Sequence, residues 1–191
     1  MKKLFTFILG LVFGFNSFSQ AINDQAVIPL AVTLNSIMRL QVTGGGNIEF
    51  SFNSITSYNS GISNSARYNT NFSVASSVDF DVEMVAEGDN LIGEATGGNM
   101  SLAVIGFLVD ISGATNSATA YSAVTPLSSA GATSGEVDIV TPNGATHNGG
   151  ASHNFILQWQ CGTGSSITTI QSLNAAPDRY ATNVFLTLTQ H

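Results

Sequence analysis

The sequence is poor in positive charge. Five of its 191 residues are lysine or arginine, and both lysines, Lys2 and Lys3, lie at the very start of the chain. After residue 19, three arginines stand against twelve carboxylates, which gives residues 20–191 a formal charge of −9. A chain with so few cations cannot neutralise a run of phosphates, so we expect no nucleic-acid partner. Without a lysine, residues 20–191 also have no Schiff-base or P-loop chemistry.

Cysteine is equally scarce. The one cysteine, Cys161, cannot form an intrachain disulfide even in an oxidising compartment. It ends the alternating segment 155–161, in which Phe155, Leu157 and Trp159 share its parity. We therefore expect Cys161 to be a small buried hydrophobic residue rather than a reactive thiol.

No catalytic set can be recognised in the chain. The three histidines, His147, His153 and His191, match no standard zinc spacing, and we expect the first two to be exposed loop residues. The chain has no G-x-S-x-G nucleophile elbow. We interpret its glycine clusters as turns rather than phosphate-binding loops, because no predicted helix follows them. The sequence therefore predicts that the protein is not an enzyme and has no resident cofactor other than a candidate calcium ion, discussed below.

The first nineteen residues have the features of a cleaved signal peptide. A basic start precedes an apolar run over residues 4–15, and Ser17 and Ser19 give the small-x-small spacing that signal peptidase requires. The apolar run is too short to span a bilayer. We predict export to the cell surface, the medium or the periplasm, with residues 20–191 forming a single domain that has no integral membrane segment after signal cleavage.

The rest of the chain alternates apolar and polar residues between Gly, Asn and Ser clusters. This pattern predicts an all-β fold, an antiparallel β-sandwich of immunoglobulin-like or pilin-like type with roughly ten short strands. We expect a bulge at Gly106, a short helix over 167–174, and an edge position for the first strand, where Pro29 lacks an N–H. The ten predicted strands are 25–34, 37–43, 47–52, 66–74, 78–86, 100–110, 118–124, 136–140, 153–161 and 180–189.

One strand is rich in carboxylates. On a strand, Asp79, Asp81 and Glu83 lie on one face, and the segment is similar to the E-x-D-x-E strand of the jelly-roll β-glucanases. That resemblance implies a domain that binds or cleaves carbohydrate, with glycans as partners. The simpler interpretation is a half-exposed strand with its acids in water and Phe80, Val82 and Met84 in the core.

The same region supplies oxygen ligands suited to calcium. Carboxylates on a strand end and the adjoining loop are the hard donors that this ion prefers. The candidate calcium ligands are Asp79, Asp81, Glu83, Glu87 and Asp89.

The two ends of the domain carry the remaining signal. The candidate assembly strand has apolar residues at alternate positions, which are Ala26, Ile28, Leu30, Val32 and Leu34. The chain closes with the pattern of Tyr180, Thr182, Val184 and Leu186 to Thr189. Together these ends resemble bacterial pilin and spore-coat-U-type domains. The resemblance implies a β-sandwich whose terminal strand can be donated to a neighbouring subunit.

The sequence therefore predicts an exported structural or adhesive surface protein. Its expected partners are copies of itself or other surface proteins, and its assembly would use a terminal strand, as in a pilus or fimbria subunit. The alternative is the carbohydrate-binding or carbohydrate-cleaving jelly roll that would use Asp79, Asp81 and Glu83.

Overall fold

The computed structural model describes residues 28–191, so the predicted signal peptide and Ala26 lie outside the described residues. Antiparallel strands dominate this part of the chain. The strands are β1 (Met38–Gly44), β2 (Asn69–Ser76), β3 (Phe80–Ala86), β4 (Asn90–Gly93), β5 (Asn99–Ser101), β6 (Ile105–Asp110), β7 (Ser117–Ala118), β8 (Thr125–Pro126), β9 (Val137–Pro142), β10 (Ala151–Cys161), β11 (Tyr180–Ala181) and β12 (Val184–Gln190). Two short helices accompany them, α1 (Ile55–Ser60) and α2 (Ile170–Leu173).

The strands form two main sheets and one small sheet. The five-stranded sheet has the order β1-β2-β10-β6-β8, and the four-stranded sheet has the order β12-β3-β9-β7. The small sheet has the order β11-β4-β5. The inner faces of the two main sheets supply one hydrophobic core, which confirms the predicted all-β sandwich.

Strand alternation builds this core. In β3, Phe80, Val82 and Met84 are fully buried, while the acids between them face outward, as the simpler interpretation of this strand predicted. In β10, Phe155 and Leu157 are buried on the same inner face. Phe155 stacks on Phe72 of β2, with ring centroids 5.2 Å apart, so side chains of neighbouring strands pack against each other in the core.

Three predicted strands do not form within the described residues. Residues 28–34 have no strand partner and stay outside the sheets. Residues 47–52 pack aromatic side chains against the core without joining a ladder, with Phe50 stacked on Tyr68 at 4.5 Å between ring centroids. Of residues 118–124, only Ala118 pairs with β9. The others form no strand, although the Tyr121 carbonyl accepts a hydrogen bond from the Val109 backbone N–H over 2.8 Å. Residues 28–34 and 47–52 therefore have the alternation of a strand but belong to no ladder of backbone hydrogen bonds among the described residues.

The prediction of a bulge at Gly106 was wrong. Gly106 lies in regular register in β6, opposite Gln160. A side chain there would meet Val124 and Ile167 at under 3.0 Å, so close packing against the face of β6 explains the glycine. The register shifts occur instead in β1, between Val42 and Gly44, and in the pairing of β3 with β9.

Helices are a minor part of the structure. The short helix expected over 167–174 is present as α2, whereas α1 was not predicted. Ser54 caps the start of α1, and its hydroxyl accepts a hydrogen bond from the Ser57 backbone N–H in a capping box. Among residues 28–191, none of the helices has the length and hydropathy needed to cross a membrane.

Candidate functional site

The described part of the assembly strand is an exposed apolar segment. In residues 28–34, the side chains of Ile28, Leu30, Val32 and Leu34 are 86, 90, 78 and 90 % exposed. Four large apolar side chains at alternate positions, all in water, are unusual outside interaction surfaces. The segment has the pattern of a strand without having the partner of one.

A second apolar surface lies along one side of the sandwich, where the edge strands β1 and β12 approach each other with Cα atoms within 8 Å. In β12, the residues that face inward are the ones that pair with buried residues of β3. In β1, likewise, the inward residues pair with buried residues of β2. These inward side chains are only half-buried or exposed, while their partners in β2 and β3 are buried. We call them the edge rows, and they are Met38, Leu40 and Val42 of β1 and Val184, Leu186 and Leu188 of β12.

The acidic strand presents its carboxylates on the outer face of the four-stranded sheet. Asp81 and Glu83 project between the buried residues of β3, and Glu83 lies opposite Asp138 of β9 in the register. Burial, together with the charge of nearby Glu136, raises the pKa of the Glu83 carboxyl above its usual range. The Thr189 hydroxyl donates a hydrogen bond to Glu83 over 3.3 Å.

The calcium candidates do not form one cluster. Asp79 precedes β3 and Glu87 follows it, so these two carboxylates lie at opposite ends of the strand. Glu87 accepts a hydrogen bond from the Asn183 side-chain amide over 2.6 Å, and Asp89 accepts one from the Thr133 backbone N–H over 2.7 Å. Within residues 28–191, no group of three or more His, Cys, Asp and Glu side chains could hold a metal ion.

A pocket of about 420 Å³ lies beside Asp79. Two of its lining residues are histidines that bond to carboxylates: His147 Nδ1 bonds to Asp79, and His191 Nδ1 lies 2.8 Å from the carboxylate of Asp81. The hydrogen bond to His147 holds the pKa of Asp79 below its usual range and raises that of His147. The pocket is lined by Ser77, Val78, Asp79, His147, Gly149, Gly150, Gln190 and His191, and neither Asp81 nor Glu83 lines it.

The expectation of exposed histidines holds for His147 and fails for His153. His153 is 2 % exposed, lies in β10, and packs against the rings of Phe80 and Phe155. Its Nδ1 accepts from the Thr115 backbone N–H over 3.2 Å, so its Nε2 carries the proton and donates to the Asn148 carbonyl over 2.8 Å. Both ring nitrogens therefore have protein partners, which assigns His153 to the core.

Asn148 is a structural residue that could not be singled out from the sequence. Its side chain is buried and pairs with both the N–H and the C=O of Phe80, over 3.1 and 3.0 Å. It thereby replaces a strand neighbour at the start of β3 and fastens the loop before β10 across the sandwich. Only its place in a Gly/Asn-rich turn segment was visible in the sequence.

Cys161 is buried at the end of β10, as predicted. Burial raises the pKa of its thiol to about 12, which leaves almost no thiolate at neutral pH. A thiol in this state is a core residue and not a nucleophile.

No model of a known protein family matches the chain, and no curated protein is significantly similar to it in sequence. The function must therefore be argued from the surfaces described above. The strongest of these are the exposed apolar segment 28–34 and the edge rows of β1 and β12. The pilin resemblance and the carbohydrate alternative both stay predictions.

Proposed function

We propose that this protein is an exported structural subunit that associates with itself through residues 28–34. The observation that supports this most directly is the exposure of Ile28, Leu30, Val32 and Leu34 in a segment with strand alternation. Such a segment is the part that one subunit can contribute to another when an extended peptide is added to a sheet.

Burial of the four exposed side chains in this segment would supply a large part of the free energy of association. Full burial of one Leu, Ile or Val side chain is worth about 1.5–3 kcal/mol, and four of them share one face of residues 28–34. Backbone hydrogen bonds to a sheet edge would add about 0.5–1.5 kcal/mol each, a small net gain because both partners are otherwise bonded to water. Association must offset lost rotational and translational freedom, which is why all four side chains matter together.

The composition of the chain fits a surface structural role. Only 9 % of its residues are charged, and many of the others are uncharged polar or small residues such as Ser, Thr, Asn and Gly. The formal charge of −9 on residues 20–191 makes copies repel one another, so the apolar contacts must also offset this repulsion, which salt screens.

The test is a parity swap within the segment, made in the chain that begins at residue 20. One variant replaces Ile28, Leu30, Val32 and Leu34 with serine, and the matched control replaces Pro29, Ala31 and Thr33 with serine. We expect the first variant to sediment as a monomer and the control to form oligomers or filaments like the unmodified chain. Sedimentation velocity measures both, and equal assembly of the two variants would remove the proposal.

A further inference from the structure

We propose that the outer edge of β12 is the surface on which residues 28–34 of a second copy pair as an added strand. This inference rests on the proposed self-association and identifies where the partner receives the segment. It assigns a binding role to a strand that otherwise only closes the four-stranded sheet.

The four edges of the two main sheets differ in how they are protected from pairing with another strand. Exposed edges tend to pair with other strands, and proteins prevent this with short strands, charges, prolines or bulges. The edge strands β7 and β8 have only two residues each, and β1 has Arg39 and an irregular register after Val42. The edge strand β12 has seven residues, no charge, no proline and regular pairing with β3. Among the edges of the two main sheets in residues 28–191, β12 alone lacks such protection.

The inward side chains beside this edge are incompletely buried. Val184, Leu186 and Leu188 face the core and yet are only half-buried. On the neighbouring edge, Val42 is 46 % exposed although its partner Phe72 is buried. The core is therefore incompletely covered along the side where β1 and β12 meet. An added strand with apolar residues at alternate positions would complete this cover.

The segment and the edge also match in length and chemistry. Residues 28–34 span seven positions, as β12 does, and their apolar side chains repeat every second residue. Neither element carries a charge, so no charged group loses water when they pair. A second copy of this chain is thus the partner that fits the edge.

Pro29 limits how the segment can pair. In a strand, the backbone groups of successive residues point to opposite neighbours, and proline offers no N–H to a ladder. We infer that the segment is oriented so that the backbone groups of Leu30 and Val32 bond to β12. The backbone groups of Pro29, Ala31 and Thr33 then point away from β12. Pro29 also keeps a further strand from pairing easily on the outer side, so each edge receives one segment.

The experiment is a complementation between two variants of the chain from residue 20. The first carries Leu30→Asp and Val32→Asp and keeps an intact β12 edge. The second carries Leu186→Lys and keeps an intact segment, with Phe185→Lys as its matched control because Phe185 lies on the same strand and faces outward. We expect each of the two variants alone to be monomeric, a mixture of them to form a one-to-one heterodimer, and the Phe185→Lys control to assemble like the unmodified chain.

The outcomes separate the two proposals. If the unmodified chain assembles and Leu186→Lys assembles equally well, the segment binds elsewhere and the β12 edge is excluded, while self-association stands. If the unmodified chain stays monomeric at all concentrations, self-association fails and this inference fails with it. Two monomeric variants that do not complement each other would likewise overturn the pairing of segment and edge.

Amide hydrogen exchange provides a second measurement in case Leu186→Lys fails to fold. In the assembled unmodified chain, exchange in the peptide that contains β12 should slow at least tenfold relative to the monomer. In the heterodimer, the N–H groups of Leu30 and Val32 should be protected while those of Ala31 and Thr33 exchange freely. Unchanged exchange in β12 upon assembly would contradict the inference.

Discussion

Residues 28–34 and strand β12 have the same kind of sequence and different structures. Both place large apolar residues at alternate positions, and neither carries a charge. Strand β12 pairs with β3 along its whole length and half-buries its inward side chains, whereas residues 28–34 have no strand partner and expose theirs. The comparison shows that alternation fixes the two faces of a strand, while the availability of a partner backbone decides whether the strand forms.

The largest expected effect of this difference is on stability, when a leucine of β12 and a leucine of residues 28–34 are each replaced by alanine. Leu186→Ala should lower the free energy of unfolding by about 1–2 kcal/mol, because it removes half-buried methyl groups from the edge of the core. Leu30→Ala should change it by less than about 0.5 kcal/mol, since this side chain is exposed in the monomer. Urea unfolding at a concentration where the chain is monomeric measures both. Equal losses would mean that residues 28–34 pack against their own domain.

A smaller effect is expected on the outer face of β3, beside β12. Because the pKa of Glu83 is raised in the folded protein, its contribution to stability is present below the ordinary value of 4.5 and is lost as the pH rises through the raised value. Glu83→Gln should therefore stabilise the protein at neutral pH, by up to about 1 kcal/mol for a relieved like-charge pair, and leave it unchanged near pH 3.

Thermal unfolding at the two pH values tests this, with Asp110→Asn as a control on β6 of the other sheet. A Glu83→Gln variant that is less stable at neutral pH would contradict the assignment. The same variant tests the carbohydrate alternative, which requires Glu83→Gln to abolish glycan binding or cleavage.

The smallest effect is at the pocket near the end of β12. The His147 ring is exposed, and its hydrogen bond to Asp79 raises its pKa above the ordinary 6.5. This bond contributes a little stability below pH 6.5, which is lost as the pH rises through the raised value. In an NMR titration, His147 should lose its proton at a higher pH than it does in the Asp79→Asn variant. The same midpoint in both proteins would show that the pair does not form in solution.

The inner strands β3 and β10 could be predicted from the sequence because their residue pattern specifies which face is buried and which is exposed. In β3 and β10 most apolar residues share one parity, and the structure buries that parity, while Val85 and Ile156 lie on the other face. Residues 47–52 have the same pattern and form no strand, because their aromatic side chains find burial against the core while their backbone has no neighbour to pair with. Sequence parity contains no information about that neighbour.

The candidate site was only partly predictable for a related reason. The segment over residues 28–34 is local, so its pattern is visible in the sequence. The pairs His147–Asp79 and His191–Asp81 join residues that are 68 and 110 positions apart, and the edge rows come from opposite ends of the chain. These contacts follow from strand order, which a single sequence does not reveal.

The most direct test of self-association is light scattering coupled to size-exclusion chromatography, applied to the unmodified chain from residue 20 over a range of concentrations. Our account predicts species heavier than the monomer that grow with concentration and disappear when residues 20–34 are deleted. A chain that elutes as a monomer at every concentration, with or without those residues, would contradict it.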